Sequence, residues 1–412
     1  MTALASNPAA PRPREFLATL LIAVLLGFGA LYWLLGFVYV TLPVDGFTNR
    51  SGGAAGGDFL AFWVAPGFAA AGDAAGAFDL ARFAEAVRAV APSMTSPNPW
   101  AYPPTVQLLL RPLAWLSPAG ALALWYALIL GCALATVRFG AGRWAAAPLA
   151  LGFFPLVHAL ANGQNGTITA ALIAVVVTQW SRAPALAGLA IGLMGYKPQF
   201  AAVAFVLALA LGAWRVVAAA VVAGLALLAA SLAVDGGAPW LAFLAQTRTQ
   251  VELIASGRLP LDRIVTVFAF LAARGVPAGI ALAAQGASAL AAITAAIWTW
   301  RRTQDGFARA LALVAATLLA TPYAFDYDMA MLALPAALLL RRDGAPLAVF
   351  ASAAAWLVAF DLVPFLALVP VYLWRVQIGA PFMAALLIAL LVCLRPNGPG
   401  RPGLDAGAAG RT

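Results

Sequence analysis

FLATLLIAVLLGFGALYWLLGFVYVTL, residues 16–42, runs without a single charged side chain. At about 1.5 Å per residue it is long enough to cross a hydrocarbon core about 30 Å thick. It is about twice the length of the apolar part of a secretion signal, so it reads as a retained spanning helix. Apolar runs of roughly 15–25 residues follow, at 117–137, 145–161, 166–181, 184–196, 199–214, 216–234, 277–300, 307–322, 328–340, 345–360 and 376–394. Together they predict about twelve spans, with the shorter ones tilted or broken. The expected fold is an all-α, polytopic membrane bundle over 16–394. A short cytoplasmic tail, 1–15, precedes it, and a Gly/Pro/Arg-rich tail, 395–412, reads as disordered.

Composition agrees. The 412 residues are 64% hydrophobic and 9% charged, with a mean hydropathy of +0.93; soluble domains carry about 25% charged residues. The net charge of +9 comes from arginines dispersed singly or in pairs, which is membrane topology rather than a nucleic-acid patch. Cys132 and Cys393 lie inside apolar runs, and His158 is the one histidine, so neither a disulfide framework nor a His/Cys metal site is expected.

Arg12, Arg14, Arg138, Arg143, Arg182, Arg215, Arg301, Arg302, Arg341, Arg342 and Arg395 recur at alternate ends of the runs. Placing them all in the cytoplasm satisfies the positive-inside rule and puts both termini there. Most carboxylates, Asp58, Asp326, Asp328 and Asp361 among them, then fall outside or near that face. Glu15, Asp305, Asp343 and Asp405 stay inside. The polar chemistry is therefore expected to be extracytoplasmic. Two outer segments are long, 43–116 and 235–276. In the first, Leu80, Phe83, Val87 and Val90 oppose Asp79, Arg82, Glu85 and Arg88, the pattern of a helix lying in the interface. The second, with Trp240 and Phe243, is read the same way.

Asp58 stands out within Gly56-Gly57-Asp58-Phe59-Leu60-Ala61-Phe62-Trp63. A carboxylate at the water edge of a membrane, backed by apolar residues, suits proton abstraction from a hydroxyl on a lipid-borne substrate. The plainer reading is a helix N-cap, and the two are compatible. Lys197, the only lysine, sits at a Lys-Pro break between apolar runs. Its natural partner is a phosphate; the plainer reading is a snorkelling side chain. His158 precedes Asn162-Gly163-Gln164-Asn165, donors and acceptors suited to sugar hydroxyls, or simply a helix–helix turn. Trp100-Ala101-Tyr102-Pro103-Pro104 reads as a rigid interfacial loop or an aromatic belt. In Pro322-Tyr323-Ala324-Phe325-Asp326-Tyr327-Asp328, carboxylates at i and i+2 do not share a helical face, so an acid/base dyad is not expected.

The ordered set Asp58-Phe59, Tyr102-Pro103-Pro104, Gly163-Gln164-Asn165, Lys197-Pro198 and Pro322-Tyr323 to Asp328 resembles glycosyltransferase family 87, membrane enzymes of the GT-C architecture. The resemblance implies transfer of a sugar from a polyprenyl-phosphate donor to a lipid or glycan acceptor. The reaction is expected at the extracytoplasmic face of the inner membrane, with inversion. It implies Asp58 as general base and Lys197 at the donor phosphate. Tyr102, His158, Asn162, Gln164, Asn165, Tyr323, Asp326, Tyr327 and Asp328 become substrate-binding candidates. No cofactor and no metal are required, although Asp326 or Asp328 offers oxygen ligands for one. A secondary transporter is the rival reading, because broken helices and intramembrane polar residues also mark transport sites. A non-catalytic assembly or lipid-binding protein is the third.

Overall fold

The computed structural model describes residues 13–94, 99–142, 144–255, 261–341, 353–374 and 377–395. The first expected span is there as α1, Pro13–Gly36, continued by a wider π-turn over Phe37–Thr41. A two-stranded antiparallel hairpin follows, Pro43–Asp45 with Thr48–Asn49, so the chain is not strictly all-α. The segment 43–116 then holds α2 (Phe59–Ala70), α3 (Leu80–Val90) and α4 (Pro104–Leu110).

Asp79 caps α3, its carboxylate accepting from the amides of Ala81 and Arg82. The apolar side of α3 is not laid on lipid as expected. Phe83 and Val87 are buried in a cluster with Phe59, Phe62, Phe78 and Trp100, while Leu80 is left exposed. Trp100 is likewise an interior residue of that cluster and not a belt aromatic.

The next helices are α5 (Pro118–Ala141), α6 (Pro148–Gly152), α7 (Phe154–Ala161), α8 (Gly166–Gln179), α9 (Pro184–Leu193), α10 (Pro198–Ala210) and α11 (Trp214–Asp235). Local sequence sets their limits. Ser117 caps α5 through the Gly120 amide, Pro118 fills its first turn, and Gly142 closes it in the left-handed region. The expected single span 145–161 is broken at Phe153, whose extended backbone ends α6 and starts α7. α9 meets α11 through small residues: a Cβ on Gly192 would lie 2.5 Å from that of Ala223.

The chain ends with α12 (Ala238–Ala255), α13 (Val267–Ala272), α14 (Ala278–Arg302), α15 (Gly306–Ala320), α16 (Ala333–Leu339), α17 (Ala353–Trp374) and α18 (Gly379–Cys393). Every residue of α15 from Phe307 to Leu319 is buried, which makes it the axis of the bundle. Buried Arg309 donates there through Nε and Nη2 to the carbonyls of Thr303 and Trp300. Asp361 is not an outer-loop residue. It lies inside α17 and accepts the Phe154 amide at 2.5 Å, capping α7 from a neighbouring helix.

Among the described residues, four helices are long and apolar enough to cross a membrane: 23–41, 118–141, 214–235 and 278–302. Their large apolar side chains, such as Leu34, Val222 and Leu290, are exposed, as a lipid-facing surface requires. Other apolar helices, among them Gly166–Gln179, Pro198–Ala210 and Gly306–Ala320, are shorter than a full span. The tails 1–12 and 396–412, and the first part of the expected span 345–360, lie outside the described residues.

Candidate active site

The loop that carries Asp58 is organised by one buried asparagine. Asn49 donates to the carbonyls of Val40 (2.9 Å) and Ala54 (2.6 Å), and its Oδ1 accepts from the amides of Ser51 and Gly53. The loop then abuts the turn between α7 and α8, where the Asp58 amide donates to the Asn162 carbonyl at 3.0 Å. This backbone-to-backbone approach needs two glycines. Gly57 and Gly163 have φ of +64° and +62°. A Cβ on Gly57 would come 2.5 Å from the Asn162 carbonyl oxygen, and one on Gly163 would overlap the Gly56 carbonyl.

Asp58 occupies the N-cap position of α2, but its side chain accepts no capping hydrogen bond. Its Oδ2 instead accepts from Gln164 Nε2 at 2.5 Å. Both side chains face one cavity.

Asp326 and Asp328 open a 3₁₀ turn, Asp326–Leu332, and reach different partners. Lys197 Nζ meets Asp328 Oδ1 at 2.5 Å, with both side chains buried. The other Asp328 oxygen accepts from the Phe325 amide. The ring centres of Phe200 and Tyr327 lie 5.3 and 5.4 Å from the ammonium. Lys197 therefore does not snorkel to the water edge; its charge ends on a carboxylate inside the protein.

Asp326 holds Arg263 with a fork: Nε to Oδ2 and Nη2 to Oδ1, each 3.2 Å. Behind it, His158 Nε2 lies 3.3 Å from Oδ1, an ion pair when the ring is protonated, at an angle outside hydrogen-bond geometry. The other ring nitrogen, Nδ1, is 3.0 Å from the Tyr32 hydroxyl. Burial by itself would favour the neutral acid at Asp326. The His158 and Arg263 charges outweigh it and hold the carboxyl well below the usual range. Backbone pairing fixes the two loops together: Ile264 bridges Phe325, and the Val265 amide donates to Ala324 at 2.8 Å.

The cavity between these groups measures about 440 Å³, within the range of small-molecule sites. Asp58, Gln164, Lys197, Arg263 and Asp328 supply its polar wall; Tyr102, Tyr196, Tyr323 and Tyr327 supply aromatic faces. Burial, reinforced by Asp328 and Asp58, pushes the Tyr323 phenol up to about 12, so near neutral pH it is a hydroxyl donor. Of the expected site residues, Asp58, Tyr102, Gln164, Lys197, Tyr323, Tyr327 and Asp328 share this cavity.

His158, Asn162, Asn165 and Asp326 stand behind its wall and brace it. Asn162 Oδ1 accepts from Arg263 Nη2 at 3.2 Å, and its Nδ2 donates to the His158 carbonyl. Asn165 is buried, its carbonyl accepting from the Tyr196 hydroxyl. Sequence reasoning missed Arg263. Nothing local separates it from Arg248 or Arg274 in the same segment, 235–276; only its pairing with Asp326, far along the chain, does.

A family model described as Glycosyltransferase family 87 matches residues 100–322, more than half of the chain. This chain belongs to glycosyltransferase family 87. No curated protein and no solved structure matches it. Membership makes the protein a membrane-associated glycosyltransferase and sets aside the transporter and assembly readings. The match covers Tyr102, His158, the 162–165 turn, Lys197 and Arg263. Asp58 lies before it, and Asp326 and Asp328 lie beyond it. Tertiary contacts bring Asp58 and Asp328 to one cavity and set Asp326 behind its wall, on Arg263.

Proposed function

We propose that this glycosyltransferase moves a sugar from a polyprenyl-phosphate donor to a hydroxyl of a lipid or glycan acceptor. The carrying observation is one cavity with a carboxylate, Asp58, and two cations, Lys197 and Arg263, on its wall. Asp58 takes the acceptor proton as the oxygen forms its bond to sugar C1. The bond from C1 to the phosphate oxygen breaks on the opposite face, with inversion. Its electron pair stays on the departing phosphate, where a cation stabilises the added charge. Gln164 holds Asp58 in place for this. The tyrosine faces and hydroxyls suit a sugar, apolar on its faces and polar at its rim.

An extracytoplasmic site is supported by the direction of the helices. α8 and α10 start at the cavity, at Gly166 and Pro198, and run toward the ends that carry Arg182 and Arg215. Arg301, at the end of α14, reaches the Ala210 carbonyl there. The cavity thus lies at the other end of the bundle from the arginines that the positive-inside rule assigns to the cytoplasm. The deciding experiment incubates purified protein and membrane lipid with a radiolabelled polyprenyl-phosphate hexose or pentose. A new labelled glycolipid or glycan is expected. Absence of any transfer across both sugar classes, with protein that is folded, would overturn the donor assignment.

A further inference from the structure

Resting on that reading, the geometry points to Arg263 as the cation that receives the donor's phosphate, with Asp326 and His158 as the residues that position it. The two cations of the cavity differ in how much of their charge is on offer. Lys197 Nζ is committed to Asp328 at 2.5 Å, and its side chain is 7% exposed. Releasing it would strand a buried carboxylate. The Arg263 side chain is 36% exposed, although it makes an ion pair too.

A guanidinium is a planar fork with five N–H donors. Here Nε and Nη2 are spent on Asp326, and Nη2 also donates to Asn162. Among the described residues Nη1 makes no hydrogen bond, and Arg263 lines the cavity. A guanidinium gripped through Nε and Nη2 and open at Nη1 is preorganised for an anion; it need not give up its carboxylate to bind one. Lysine, a point charge on a flexible stem, lacks that division of edges.

The grip itself is built to hold. Asp326 is buried, fixed by the Tyr327 amide at 2.8 Å and backed by His158, which is anchored in turn on Tyr32 of α1. Asn162 completes the arrangement. Its carbonyl takes the Asp58 amide and its side chain takes Arg263, so one residue sets the offset between the base and the phosphate cation. A sugar bridging the two would have its acceptor side toward Asp58 and its leaving phosphate toward Arg263.

The test uses farnesyl phosphate, a short polyprenyl monophosphate resembling the leaving group, with farnesol as the uncharged control. Binding to full-length protein in detergent micelles is followed by tryptophan fluorescence, Trp100 being a cavity residue. Wild type should bind farnesyl phosphate at least about tenfold more tightly than farnesol, and Arg263→Gln should lose most of that difference. Arg263→Lys, which keeps the charge but not the fork, should recover only part of it. Asp326→Asn should weaken farnesyl phosphate while leaving farnesol unchanged, because the guanidinium loses its anchor and the apolar wall does not.

If Arg263→Gln is unstable, the paired variant Arg263→Gln with Asp326→Asn removes both charges of the pair together and serves in its place. Wild-type discrimination in a folded Arg263→Gln or paired variant overturns the inference and leaves the donor class standing. Wild-type protein that binds farnesol and farnesyl phosphate equally overturns both.

Discussion

The backbone amide of Asp58 donates to the carbonyl of Asn162 at 3.0 Å. More than a hundred residues separate them, yet this one bond joins the base's loop to the turn whose side chains hold Arg263. Asp58, the proposed base, and Arg263 are therefore linked through Asn162, and disturbing either loop should be felt by both.

Asp58→Asn should leave the fold intact, because the carboxylate makes no capping hydrogen bond to α2 and the amide keeps its volume. Removing a positioned base costs about 10²–10⁴ in rate. Sugar transfer should fall by that amount while farnesyl phosphate affinity stays near wild type. Transfer at the wild-type rate would sink the assignment of Asp58 as base.

Lys197→Met should destabilise the protein strongly, since it strands Asp328 in the interior. Breaking one side of a buried pair costs about 3–5 kcal/mol. Combining it with Asp328→Asn should recover much of the loss, a coupling that thermal melts of the four proteins in the cycle would reveal. Additive losses would mean that the two side chains act independently.

The depressed pKa of Asp326 fixes the sign of its pH effect. Its contribution to stability is fully present above the ordinary carboxylate value of 3.8 and is lost only as pH falls through the lower folded value. The drop in Tm caused by Asp326→Asn should therefore be the same at about pH 4.5 and about pH 5.5, a window above the ordinary carboxylate value and below the ordinary histidine value. A drop that shrinks between those two points would show that Asp326 titrates there and is not held by His158 and Arg263.

Gly163→Ala should abolish transfer more thoroughly than it unfolds the protein. A Cβ there overlaps the Gly56 carbonyl, and left-handed backbone at a non-glycine residue costs about 1–3 kcal/mol. The cheapest relief is to separate the two loops, which displaces Asp58 from Gln164. An active, equally stable Gly163→Ala protein would show that the loop contact is dispensable.

Orientation is open to a direct measurement. A reporter active only in the periplasm, fused after Ala91, should give signal, and one active only in the cytoplasm, fused after Arg395, should give signal too. Silence of the Ala91 fusion would reverse the topology and move the cavity to the cytoplasmic face.

What the sequence decided by itself is what repeats or stays local. Uncharged runs define the membrane helices, because an unpaired charge or open backbone is costly in hydrocarbon. Pro118 and Gly142 bound α5 by local dihedral preference alone. Asp58, Lys197 and the 162–165 turn were legible because polar residues are rare in such a chain and each sits at a break. Tertiary structure decided the pairing. It committed Lys197 to Asp328, turned α3 onto Phe59 and Phe62 instead of lipid, drew Asp361 inside to cap α7, and raised Arg263 from one dispersed arginine to a wall of the site. The reason is that a buried charge must find its counter-charge wherever the fold brings one, and that distance along the chain carries no information about it.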